Sequence, residues 1–360
     1  MHLFLEKTMK RANLKYVIVI LVMVGNICFP QQQNLKIYGF FDLEVEAHIE
    51  DGEIHEWTFD QHHLNVLANY QLADRFRVAT EIEWEHGPMH SPSEMIGKIY
   101  LAKAFLEYKY SDALLTRIGI FLSPFGIYNE RHDATPTFLS TFLPESVYGK
   151  KELSFRGKGR LFAKHSTGIQ VLGNLYLNDW GAKYQVYLSN GRGPKESEKD
   201  NNSNKGFGWR FVISPPVEEL YIGTSFYSDK NGDANNARQT TFGFDVEFDL
   251  SAFHIEAEYI IPKLENVDTS GIPTGNFTYV NGYYIQGAHT FFNRLTPFAR
   301  YEFFDPDNDI KKDGENIMVV GLNFAVTPSV YFKSEVHFHW FQDKSIKKYE
   351  MFVSSVAVAF

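Results

Sequence analysis

The 360-residue sequence predicts an all-β fold, a transmembrane antiparallel β-barrel of about sixteen strands with short periplasmic turns and long outer loops. Three observations carry this prediction. The chain opens with a secretory pattern, its later segments alternate apolar and charged residues with period two, and its connections alternate between short and long.

Lys7, Lys10, Arg11 and Lys15 precede the apolar run 16–24, which softens into Gly25-Asn-Ile-Cys-Phe-Pro30. A spanning helix needs about 20 apolar residues, and Gly25 and Asn26 interrupt the run before it reaches that length. Residues 1–30 therefore read as a cleaved signal peptide, and 31–360 as a single barrel domain. Cys28 is the sole cysteine, which excludes internal disulfides and Cys-based zinc centres. The net charge of -9, with no dense Lys/Arg cluster, argues against a nucleic-acid partner.

After the signal, no stretch approaches twenty apolar residues, so further membrane contact must come from strands. In 35–48, Leu35, Ile37, Phe41, Leu43, Val45 and Ala47 oppose Lys36, Asp42, Glu44, Glu46 and His48. Between 75 and 85, Phe76, Val78, Ile82 and Trp84 oppose Arg75, Arg77, Glu81, Glu83 and Glu85. The same rhythm sets Ile255, Ala257 and Tyr259 against His254, Glu256 and Glu258, and Phe332, Val336 and Phe338 against Lys333, Glu335, His337 and His339.

Alternation alone also fits a soluble sandwich, so the connections decide. Candidate strands fall at 35–48, 56–70, 75–86, 98–110, 114–121, 165–174, 180–189, 206–213, 218–227, 238–248, 253–262, 277–291, 295–304, 316–325, 329–341 and 349–360. Connections such as 71–74, 111–113, 249–252 and 326–328 are short, whereas 87–97, 122–164, 190–205, 263–276 and 305–315 are long and polar. Greek-key sandwiches have no reason to alternate in this way; an outer-membrane barrel does. Aromatic residues make up 16% of the chain, and Tyr38, Tyr70, Tyr108, Trp180, Tyr221, Tyr301 and Trp340 near strand ends fit interfacial girdles facing outer-membrane lipid. The closing stretch 352–360 ends on Phe360 and resembles the terminal strand that barrel-assembly machinery recognises.

About sixteen strands leave an aqueous lumen unless something fills it. The connection 122–164 is the longest, and loops of that length are usually functional, so it is a candidate constriction. Within it Arg131, His132, Asp133, Lys150, Lys151, Arg156, Lys158 and Arg160 form a mostly basic set. Two readings stand for that set: an anion-attracting ring, or a solvated outer surface. Arg117 either lines the lumen or braces the long loop through a carboxylate such as Glu107.

The segment Arg117-Ile-Gly-Ile-Phe121-Leu-Ser-Pro124-Phe125-Gly126 resembles one found in outer-membrane porins of the phosphate-selective porin O and P family. The resemblance implies a sixteen-stranded channel, commonly a homotrimer, with the third loop folded inward and small hydrophilic solutes or anions as cargo. That family lines its pore with arginines and lysines. Here Arg75, Arg77, Lys103, Arg117, Arg300 and Lys333 share the apparent lumen face with Glu81, Glu83, Glu107, Glu256, Glu258, Glu302 and Glu335, which departs from a purely basic lining.

Catalysis is not expected. No serine lies in a Gly-x-Ser-x-Gly setting, and His62 and His63, adjacent on a strand, should face opposite ways. His337 and His339 share a face and could chelate a metal, but the simpler reading makes them polar lumen residues flanking Glu335, so no metal or cofactor is expected. Asp305, Asp307 and Asp309 lack the remaining features of a calcium loop. The expectation is a passive outer-membrane porin for small, charged solutes. The alternative is a closed structural or adhesive barrel that binds a partner through its long loops.

Overall fold

The computed structural model describes residues 34–86, 98–131, 135–153, 157–191, 200, 202–217, 219–231 and 236–360, and the expected signal peptide lies outside them. The first half contributes β1 Leu35–Glu50, β2 Glu53–Asp60, β3 His63–Ala73, β4 Phe76–Glu85, β5 Lys98–Ser111, β6 Leu114–Leu122, β7 Lys151–Leu153, β8 Gly157–Gly159, β9 His165–Leu177 and β10 Trp180–Asn190. The second contributes β11 Lys205–Ser214, β12 Leu220–Asn231, β13 Ala237–Leu250, β14 Phe253–Val267, β15 Pro273–Tyr279, β16 Asn281–His289, β17 Leu295–Asp305, β18 Glu315–Thr327, β19 Val330–Phe341 and β20 Tyr349–Ala359. β7 and β8 form a separate ribbon. β2 continues into β3, and β15 into β16, each pair along the same neighbouring strand. The result is a closed antiparallel barrel of sixteen staves.

Closure is made by β1 against β20, in register from Phe40 opposite Ala359 to Ile49 opposite Glu350. Each neighbour pairing satisfies backbone groups that have no water to bond in a bilayer, so a closed sheet is what permits spanning. The pleat then sorts the side chains. On β4, Phe76 and Ile82 are exposed outward while Glu81 and Glu83 are buried inward; on β14, Ile255 and Tyr259 face out while Glu256 and Glu258 face in. The period-two reading of these segments matches the structure.

Three expectations need correction. The first outer connection is a two-residue turn, because Asp51 and Gly52 adopt positive φ of 53° and 80° and join β1 to β2 directly. Asp-Gly is a favoured pair for such hairpins, so the long outer loops have one short exception. Arg75 belongs to the periplasmic turn between β3 and β4, where it is exposed, and it does not line the lumen. His62 and His63 do not diverge: pairing breaks between β2 and β3, and the two rings stack at 3.9 Å.

The longest loop, 123–164, folds into the barrel. It carries 3-10 turns at Asn129–Arg131 and Thr135–Thr137, the short helix α1 at Glu145–Tyr148, and the β7–β8 ribbon. Phe125, Ile127, Tyr128, Phe138, Val147, Tyr148, Leu161 and Phe162 pack with Phe121, Tyr187, Tyr227, Ile260, Leu264, Tyr284 and Phe304 of the wall. Part of the aromatic surplus thus builds an apolar core inside the barrel. Gly126 has φ +62°, and a Cβ there would collide with the Tyr148 hydroxyl and Glu258, so the turn into the lumen requires glycine.

Candidate functional site

The loop is held by a set of acceptors that the strand rhythm places on the lumen face. Glu258 accepts from the Tyr148 hydroxyl at 2.6 Å, the Tyr284 hydroxyl at 2.8 Å and the Ile127 N–H at 3.2 Å. Glu256 accepts from the Tyr128 hydroxyl and, at 2.9 Å, from Gln286. Glu302 accepts the Ser146 N–H at 2.9 Å, and Glu335 accepts the Thr141 N–H and the Ser140 hydroxyl, each at 3.1 Å.

Donors on the wall complete the attachment. Asn323 donates to the Phe138 carbonyl at 3.0 Å, Lys333 to the carbonyls of Thr135 and Ser140 at 2.6 and 3.0 Å, and Arg300 to that of Phe142 at 3.2 Å. Arg300, Lys333 and Glu335 are therefore buried beneath the loop. They hold it in place, where the sequence suggested residues in contact with solute. Desolvated polar groups are kept only when paired, which explains why so many charges on one face coexist with burial.

With Lys183 and Gln185 of β10 on Glu130 and Ser355 of β20 beside Thr141, the polar attachments run along β10 to β20. Cavities at different depths open along the β1–β6 wall. The outer one, about 460 Å³, is lined by Glu46, His62, His63, Glu85, His86, Thr141, Phe142, Glu145, Lys150, Arg160 and Lys164. The inner one, about 220 Å³, is lined by Tyr38, Asn69, Arg77, Lys103, Phe105, Arg117 and Glu130. A third of about 290 Å³ lies among Glu130, Arg131, Lys183, Arg210, Asp245 and Glu247.

Most cations in these spaces are matched by an anion. Glu107 takes Arg77 at 2.9 Å and Arg117 at 2.7 Å, and Arg117 also lies over the Phe105 ring at 4.9 Å. Lys103 meets Glu81 at 2.5 Å, and Asn65 donates to the other oxygen of Glu81 at 2.7 Å. Glu83 is buried on the same face. Arg131 meets Glu247 at 2.5 Å, Arg210 meets Asp245 at 2.6 Å, and Arg160 donates to the Tyr148 carbonyl at 2.6 Å. The side chain of Lys158, together with His132, Asp133 and Arg156, lies outside the described residues. For Glu130, on the loop, burial favours the protonated acid, but Lys183 at 3.4 Å and the hydrogen bond from Gln185 outweigh it and hold the carboxyl below its usual range.

Sequence reasoning missed Tyr128 and Tyr148, whose hydroxyls reach partners more than a hundred residues away. It also missed the gathering of His62, His63 and His86, whose rings stack at 3.9 and 4.7 Å. The break between β2 and β3 creates that group, and no periodic signal announces a break.

A lumen narrowed by an inward third loop can be set beside known barrels. The chain is similar to the anion-selective porin from Comamonas acidovorans, with a TM-score of 0.62 and 12% identity over 91% of this chain and 99% of that one. It is similar to OmpT of Vibrio cholerae (TM-score 0.60, 13% identity, 91% and 97% covered) and to OmpF of Salmonella typhi (0.60, 10%, 92% and 99%). The fold is that of outer-membrane porins. At these identities the likeness is one of architecture, and one of the OmpT structures is a trimer form. No protein-family profile and no curated protein matches the chain.

Proposed function

We propose that the chain is a passive outer-membrane porin for small hydrophilic solutes. The observation that carries this reading is that the third loop, bonded along β10 to β20, leaves polar cavities at two depths along the β1–β6 wall. Solutes would move down their gradient past residues of both signs. Arg117 and Arg131 each face a carboxylate, so an anion preference would rest on small imbalances of charge. The resemblance to phosphate-selective porins is thus a likeness of plan and of the 117–126 segment. A homotrimer is the assembly this reading favours, and Phe360, bonded to Gly39 at the seam, is its proposed assembly signal.

The test is single-channel conductance of the detergent-purified chain in a planar bilayer, followed by the reversal potential in a salt gradient. Discrete steps are expected, with weak ion selectivity. Replacing Arg117, Arg131 and Lys158 together with Ala should shift the reversal potential toward cations; an unshifted value removes them from selectivity. The aromatic core that fills part of the lumen favours a second reading, a closed barrel that binds a partner through its outer loops. Silence from a folded barrel would select it.

A further inference from the structure

His337 and His339 project from β19 into the lumen, with side chains 1% and 0% exposed and rings nearly parallel at 6.4 Å. Each imidazole is held by a carboxylate through one nitrogen only. His337 uses Nε2 toward Glu335 at 2.9 Å, and His339 uses Nδ1 toward Glu315 at 3.0 Å. A carboxylate on one ring nitrogen places the proton there and leaves the other nitrogen with a free lone pair. Those other atoms, Nδ1 of His337 and Nε2 of His339, are buried and have no hydrogen-bond partner among the described residues. Two such orphans side by side are unusual in a folded interior, where polar atoms find partners.

Glu145 supplies a third donor. One ring nitrogen of each histidine and a carboxylate oxygen of Glu145 lie within 4.8 Å of one another. We propose that Glu145, His337 and His339 bind one divalent cation of the zinc class at the junction of the loop and β19.

Two neutral imidazoles and a carboxylate suit zinc, nickel or copper, whereas magnesium and calcium prefer all-oxygen sites. Ligands at zinc distances stand about 3.4 Å apart in a tetrahedron. Glu145, the most exposed of the three at 37%, has the freedom to close that gap. It also lines the outer cavity, which gives an ion a route from water and leaves a fourth coordination position for a water or a small anion. Glu315 and Glu335 orient the rings from behind, an arrangement common around metal-bound histidine. Lys151 lies 3.5 Å from Glu315 and 4.0 Å from Glu145, so it is already drawn to carboxylates on that side. The bound ion would tie α1 of the loop to the barrel wall. This site does not depend on whether the barrel conducts, because binding is read without a bilayer.

The experiment is calorimetric titration of zinc chloride into the folded, detergent-purified full chain, with thermal unfolding followed in parallel. One saturable site and a raised unfolding temperature are expected, with no competition from magnesium. His337→Ala/His339→Ala should abolish the site, Glu145→Gln should weaken it at least tenfold, and His62→Ala/His63→Ala should leave it intact. Absence of saturable binding in the wild type overturns the proposal. So does unchanged affinity in the double variant, or a loss confined to His62→Ala/His63→Ala. Should the double variant fail to fold, Glu145→Gln at its part-exposed loop position decides alone: unchanged affinity there also overturns the site.

Discussion

Tyr148 donates its hydroxyl to Glu258 at 2.6 Å, joining the short helix of the lumenal loop to β14 across 110 residues of sequence. The same carboxylate takes two further donors, one from the loop backbone and one from the neighbouring strand. An acidic side chain on a lumen face therefore need not be a selectivity element; here it organises the constriction.

Loosening that junction should widen the passage. Tyr148→Phe leaves Glu258 with two donors and also strands the Tyr128 N–H that the hydroxyl accepts at 3.0 Å, at a cost of about 1–3 kcal/mol. Glu258→Ala strands three buried donors and should cost about 1–3 kcal/mol for each that stays dry. Both variants should raise mean single-channel conductance, Glu258→Ala more, with stability followed by denaturant unfolding. A destabilised Glu258→Ala barrel with unaltered conductance would show that the loop does not limit flow.

At the inner cavity, Glu107 is shared by Arg77 and Arg117, which leaves the trio one positive charge in excess. Glu107→Gln should expose two positive charges to the passage and shift the reversal potential toward anions. Arg117→Ala should shift it toward cations, because Arg77 alone then balances the carboxylate and the excess positive charge is gone. Unshifted values in both variants would remove the trio from selectivity.

The staves were legible because a wall between lipid and water imposes period two on residues such as Ile255, Glu256, Ala257 and Glu258. The destination of the loop was legible only as length. Nothing in the spacing of Ser140, Thr141 and Glu335 says that they meet, since such contacts depend on how a 42-residue loop lies across a curved wall. The charges of Arg300, Lys333 and Glu335 were visible and their side was right. Their covering by the loop was not, because burial by a distant segment leaves no periodic trace.

Glu130 should give the constriction a pH dependence on the acid side. Lys183 and Gln185 hold its carboxyl below the usual value in the folded state, so the ionised form contributes stability above the ordinary carboxylate range near pH 4.3. That contribution is lost as pH falls through the lower, folded value. Unfolding measured between about pH 6 and 3 should be steeper in the wild type than in Glu130→Gln, which has no proton to gain. Parallel profiles would remove Glu130 from the acid response.

The seam offers the sharpest test of closure. Gly39 and Phe360 exchange two backbone hydrogen bonds, of 2.8 and 2.9 Å, at the periplasmic end of the β1–β20 pairing. A Cβ on Gly39 would collide with the Asn65 carbonyl on one side and would lie 2.7 Å from the Phe360 ring on the other. The ring can turn away, but a carbonyl in the sheet cannot move without breaking pairing between β1 and β3. Gly39→Val should therefore reduce the yield of folded barrel far more than Phe360→Ala, which keeps both backbone bonds and loses only a lipid-facing ring. Folded fraction after refolding into detergent, read from the shift in gel mobility on heating, measures both. If Phe360→Ala proves the worse in purified refolding, the aromatic ring itself drives closure, and any assembly-signal role would be secondary to that packing.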